Sequence, residues 1–84
     1  MLIGYHIDNI MPGTYGEINK IEEEINELKD AKSQGCKIME LVELSDVIGA
    51  IDGYLRKYHP GILMSDLISM ANITRRAFLS GERS

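Results

Sequence analysis

The chain has 84 residues and a mass of 9.4 kDa, which allows one small domain with a thin core. An apolar fraction of 44% excludes a disordered chain, while four Tyr, one Phe and no Trp leave an aliphatic core that a second chain is expected to complete. A net charge of −4, with no basic cluster beyond Arg75–Arg76, argues against a nucleic-acid partner, and the single cysteine, Cys36, excludes an internal disulfide and a thiolate zinc site.

Residues 1–13 read as an extended arm, with Leu2, Ile3, Tyr5, Ile7, Ile10 and Met11 lacking helical spacing. The arm has no basic start of the kind that opens a signal peptide, and no stretch of the chain reaches the ~18–20 apolar residues of a membrane span. The expectation is a cytoplasmic protein with no membrane association. Pro12–Gly13 marks a turn, and Thr14-x-x-Glu17 reads as a capping box that starts the first helix, expected over 14–34. Ile18, Ile21, Ile25 and Leu28 form its apolar stripe, and Gly35 is its stop. The connection is so short that the second helix, expected over 37–58, must return antiparallel. That helix is apolar over much of its circumference, and Gly49 and Gly53, one turn apart, suggest close approach of another helix. His59–Pro60–Gly61 ends it. Ser65 is the expected N-cap of a third helix over 65–80, whose inner stripe is Leu67, Met70, Ala71, Thr74, Ala77 and Phe78, with Gly81 as its stop. The result is an all-α chain forming a single domain over 1–84.

Acidic residues concentrate on the first two helices. Glu24 and Glu27 are spaced i, i+3, and so are Glu43 and Asp46, so each pair presents two carboxylates to one side of its helix. Glu27 lies eight residues before Gly35 and Glu43 eight after it, which places the pairs at one height across the hairpin. Carboxylates converging beside packed surface repel one another unless a cation sits among them. Ligands that are all oxygen favour a hard cation, Mg²⁺ or Mn²⁺, of the kind that also takes substrate phosphates.

Glu24-x-x-Glu27, fifteen residues, then Glu43-x-x-Asp46 resembles the ExxE…ExxD signature of the all-α nucleoside triphosphate pyrophosphohydrolases, which include the MazG-like enzymes. The flanks Lys20-Ile21-Glu22-Glu23-Glu24 and Glu43-Leu44-Ser45-Asp46-Val47 agree with it, and Gly13-Thr14-Tyr15-Gly16-Glu17 with the compact length is most similar to short stand-alone MazG-like proteins of phages and bacteria. The resemblance covers roughly residues 14–80. It implies a MazG-like helical hairpin plus third helix, with a four-helix-bundle-type core completed as a homodimer or homotetramer. It implies Mg²⁺-dependent hydrolysis of a nucleoside triphosphate to the monophosphate and pyrophosphate, in a bacterial cell or a phage-infected host. Glu24, Glu27, Glu43 and Asp46 would be the metal ligands and catalytic residues, with the choice of general base among the Glu residues open. Lys20, Asn72 and Arg75 would bind substrate phosphates, with Arg76 competing with Arg75. Two alternatives stand beside this reading: a phosphoribosyl-ATP pyrophosphohydrolase, and a non-catalytic helical module that binds nucleotides.

Glu17, Glu22 and Asp30 read as surface or capping residues, and Glu23 and Glu40 as either supports of the site or solvated charges. His6 and His59 lack metal-ligand spacing, Cys36 has no activating neighbour, and Met39, Met64 and Met70 read as core fillers. Tyr15 and Tyr54 are candidates for stacking on a base or for packing.

Overall fold

The computed structural model describes residues 9–81. Among these it contains three helices, α1 (Ile18–Ser33), α2 (Lys37–Tyr58) and α3 (Met64–Ser80), and no strand. The all-α expectation holds. Residues 9–13 are non-helical; the rest of the expected arm, with His6, and the tail after Gly81 lie outside the described residues. None of the described helices is long and apolar enough to cross a membrane.

The hairpin forms as its turn chemistry dictates. Gly35 adopts φ +73°, the left-handed conformation that glycine takes without strain, directly after the Gln34 C-cap. α1 and α2 then pack along one another. Pro60 and Gly61 end α2, with the Ile62 amide donating to the His59 carbonyl at 3.1 Å, and Gly81 closes α3 with φ +82°.

Two helix starts differ from the expectation. α1 begins at Ile18, not Thr14, because residues 14–17 form a turn in which the Glu17 amide donates to the Thr14 carbonyl at 2.9 Å and Gly16 takes φ +94°. Glu17 does not reach back to Thr14: its carboxylate binds Lys57 Nζ and the Tyr58 hydroxyl at the far end of α2. α3 begins after Leu63 rather than Ser65, because Asp66 Oδ2 accepts the Leu63 amide at 2.8 Å and stabilises an earlier first turn.

The inner face of α1 is not the apolar stripe. Its buried residues are Glu23, Glu24, Glu27, Asp30 and Ala31, whereas Ile18 and Ile25 are exposed. On α2 the buried residues are Glu43, Ala50, Gly53 and Leu55, while Ile38, Leu41, Val42, Leu44 and Ile48 are exposed. No residue of α3 is buried, and Met70, expected in the core, is 61% exposed. The described residues therefore turn five acids inward and much of the aliphatic surface outward.

Candidate metal centre

Three of the buried acids converge with Asp46. One carboxylate oxygen from each of Glu24, Glu27, Glu43 and Asp46 lies within 4.8 Å of the others. The first three are buried, with Glu27 at 2% and Glu43 at 0% exposure, and Asp46 is exposed, so the cluster is closed on the hairpin side and open at one edge. Small residues make the approach possible: Ala31 and Ala50 are buried between the helices, where larger side chains would hold them apart. Equal distance from Gly35 and the three-residue spacing within each pair together set the height and direction of the four carboxylates.

The electrostatics follow from this crowding. Burial pushes the Glu27 carboxyl up to about 8, helped by a hydrogen bond with Glu24 and by the charges of Glu24, Glu43 and Glu23. Glu27 therefore keeps its proton at neutral pH in the absence of a cation. Asp46 is also raised, first by partial desolvation and then by the charges of Glu24 and Glu43. A group of carboxylates in which one is forced to stay protonated is short of positive charge.

Lys20 supplies part of that charge. Its ammonium lies 2.9 Å from Glu23 Oε1 and 3.1 Å from Glu24 Oε2, and the hydrogen bond to Glu23 holds its pKa above the usual lysine value. Burial raises the Glu23 carboxyl, but the Gly13 amide, donating at 2.9 Å, and Lys20 outweigh it and leave its pKa below the ordinary value. Glu23 thus ties the turn before α1 to the acid cluster through Lys20.

A cavity of about 300 Å³ opens beside the carboxylates, lined by Tyr15, Lys20, Glu24, Glu27, Ser45, Asp46, Gly49 and Ala50. Tyr15, 63% exposed, forms part of its rim. Its ring lies against Gly53, where an added Cβ would fall 2.5 Å from Cε1, so the close approach at Gly53 is made by Tyr15 and not by a second helix. At Gly49 an added Cβ would meet nothing within 4 Å. Tyr54 instead pairs with Tyr58, ring centroids 4.8 Å apart.

Asn72 and Arg75 are not brought to the acids. Both are exposed on α3, Arg75 lines a different groove between α2 and α3, and neither lines the acid cavity. Asp30, read from the sequence as surface, is 1% exposed and accepts a hydrogen bond from Gln34 Nε2 at 3.1 Å. Its signal was available: Glu23, Glu27 and Asp30 are spaced by four and three and continue the row of inward acids.

The donor set suits a hard divalent cation. Every ligand atom is a carboxylate oxygen, and opposed oxygens around such an ion stand roughly 4–5 Å apart at its usual bond lengths, comparable to the 4.8 Å spread here. The chain matches no family model, no curated protein and no solved structure.

Proposed function

We propose that this chain is a divalent-metal-dependent pyrophosphohydrolase that cleaves a nucleoside triphosphate to the monophosphate and pyrophosphate. The observation that carries the reading is the meeting of Glu24, Glu27, Glu43 and Asp46 across the hairpin, beside an open cavity. The ExxE…ExxD spacing that brings these residues together is also the pattern on which the resemblance to the pyrophosphohydrolases rests.

Glu24, Glu27, Glu43 and Asp46 would hold Mg²⁺, with Mn²⁺ as a substitute. Bound there, the ion would neutralise phosphate charge and lower the pKa of water. Glu27 would give up its proton when the cation binds, because the charge that replaces the proton is larger. Lys20, which lines the cavity and pairs with Glu23 and Glu24, would bind a phosphate oxygen. Asp46 occupies the open edge of the cluster, where the triphosphate would enter.

The test is pyrophosphate release from each NTP and dNTP, with and without Mg²⁺. Glu43→Gln and Asp46→Asn are each expected to lower the metal-dependent rate by about 100-fold or more with helix content unchanged. Full activity in either variant, or no pyrophosphate from any nucleotide with the wild type, refutes the assignment.

A further inference from the structure

Building on the pyrophosphohydrolase reading of the acid cavity, we propose that Glu17 is a positioning residue there: by tying the turn at residues 14–17 to the end of α2, it holds the Tyr15 ring in the cavity wall and so sets how tightly substrate is held.

The turn is fastened on two sides. Towards α1, the Thr14 amide donates to Asn19 Oδ1 at 2.8 Å, the Gly13 amide to Glu23 Oε1 at 2.9 Å, and the Lys20 amide to the Glu17 carbonyl at 3.1 Å. Towards α2 the ties are side chains. The Tyr58 hydroxyl lies 2.6 and 2.9 Å from the two Glu17 carboxylate oxygens and donates between them, and Lys57 Nζ binds Oε2. Lys57 also runs beside Gly16, where an added Cβ would fall 3.2 Å from its Cδ, so the turn rests on the same side chain that reaches Glu17. The Lys57 bond, then the Tyr58 bond, hold the Glu17 carboxyl below its ordinary pKa, so the tie is charged at neutral pH.

Tyr15 stands between these fastenings. Its ring touches Gly53 and lines the cavity, yet most of its surface is in water. Packing alone does not hold such a ring, and its place follows the turn that carries it. Gly53 lies seven residues beyond Asp46, about 10 Å further along α2. A triphosphate bound at the acids would extend along Gly49 and Ala50 towards Tyr15, which would then meet the nucleoside end. With the tie cut, the turn leaves this position for part of the time, and apparent affinity falls with the fraction that remains in place. An exposed ion pair with a charged hydrogen bond biases such an equilibrium by roughly fivefold.

The test has two arms on the purified full chain. In the metal-free protein, proton NMR should show a nuclear Overhauser contact between the Tyr15 ring and the Gly53 Hα, weakened in Glu17→Ala and unchanged in Glu22→Ala, whose side chain is exposed on α1. In pyrophosphate release with Mg²⁺, Glu17→Ala and Tyr15→Ala should each raise KM about fivefold and leave kcat within about twofold. The double variant should have the KM of Tyr15→Ala, because without the ring Glu17 has nothing to position. Glu17→Gln, which keeps an acceptor for Tyr58, should recover part of the KM. No Tyr15–Gly53 contact in the wild type, an unchanged contact or an unchanged KM in Glu17→Ala, or a further rise in KM in the double variant overturns the proposal. No pyrophosphate from any nucleotide refutes the pyrophosphohydrolase reading and the substrate role of Tyr15 with it, and the ring contact then decides whether Glu17 holds the turn. Should Glu17→Ala fail to fold, Lys57→Gln with Tyr58→Phe cuts the tie from its other end and is read in the same way.

Discussion

Replacing a buried charged residue usually destabilises a protein, yet Glu27→Gln should stabilise this one in the absence of metal. Glu27 is 2% exposed, and its carboxyl is pushed up to about 8 from an ordinary 4.5. Between those values the folded chain holds a proton that the unfolded chain has released, so stability falls as pH rises from 4.5 towards 8. At pH 7 the difference amounts to about 3 kcal/mol at 1.36 kcal/mol per pH unit, and it reaches about 5 kcal/mol above pH 9. Gln keeps the shape and carries no charge, so its gain at pH 7 has about 3 kcal/mol as an upper value, a rise of at most about 12–24 °C in Tm. Near pH 4.5 the gain should shrink to a few tenths of a kcal/mol. Thermal unfolding followed by circular dichroism in EDTA, at pH 4.5, 6, 7 and 8 and one protein concentration, measures this directly. Mg²⁺ should raise the Tm of the wild type and raise that of Glu27→Gln much less. A variant less stable than the wild type at every pH, or a difference that does not grow with pH, would refute the crowded-carboxylate argument.

The two glycines of α2 should behave oppositely. Gly49→Ala meets open space and should gain up to about 1 kcal/mol from helix propensity, whereas Gly53→Ala collides with Tyr15 and should lose about 1–3 kcal/mol in urea unfolding. Adding Tyr15→Ala to Gly53→Ala should recover most of that loss in a double-mutant cycle. The hydrogen bond to Glu17 is the largest of the influences that hold the Tyr58 hydroxyl pKa above 10.0, so Glu17→Gln should lower the Tyr58 titration followed by ultraviolet absorbance, and Tyr58→Phe should remove it. Asp66→Ala removes the acceptor of the Leu63 amide and should cost about 1 kcal/mol, with fraying of the first turn of α3 visible in amide exchange.

The hairpin and its acids were legible because both depend on short-range rules. Gly35 sets the turn, and three-residue spacing with equal distance from that turn places Glu24, Glu27, Glu43 and Asp46 together without knowledge of any distant contact. What the sequence hid depends on partners far along the chain. Thr14 and Glu17 carry a sound capping pattern, but Glu17 binds Lys57 and Tyr58, 40 and 41 residues away, and α1 starts later as a result. Gly53 signalled a close approach, but nothing local identified Tyr15 as what approaches. The stripe Ile18, Ile21, Ile25 and Leu28 predicted the inner face of α1, and the structure puts Asp30 and the glutamates there. Hydrophobic periodicity identifies a face that seeks cover, and it does not say whether that cover comes from the same molecule.

The four clustered acids lie between residues 24 and 46, on two helices joined by a three-residue connection. Contacts this close in sequence form fast, on the timescale of helical hairpins rather than of long-range pairing. Refolding from denaturant should therefore show an early phase independent of protein concentration, in which the carboxylates meet and a divalent cation accelerates the gain of helix. Dilution would leave the rate of that phase untouched.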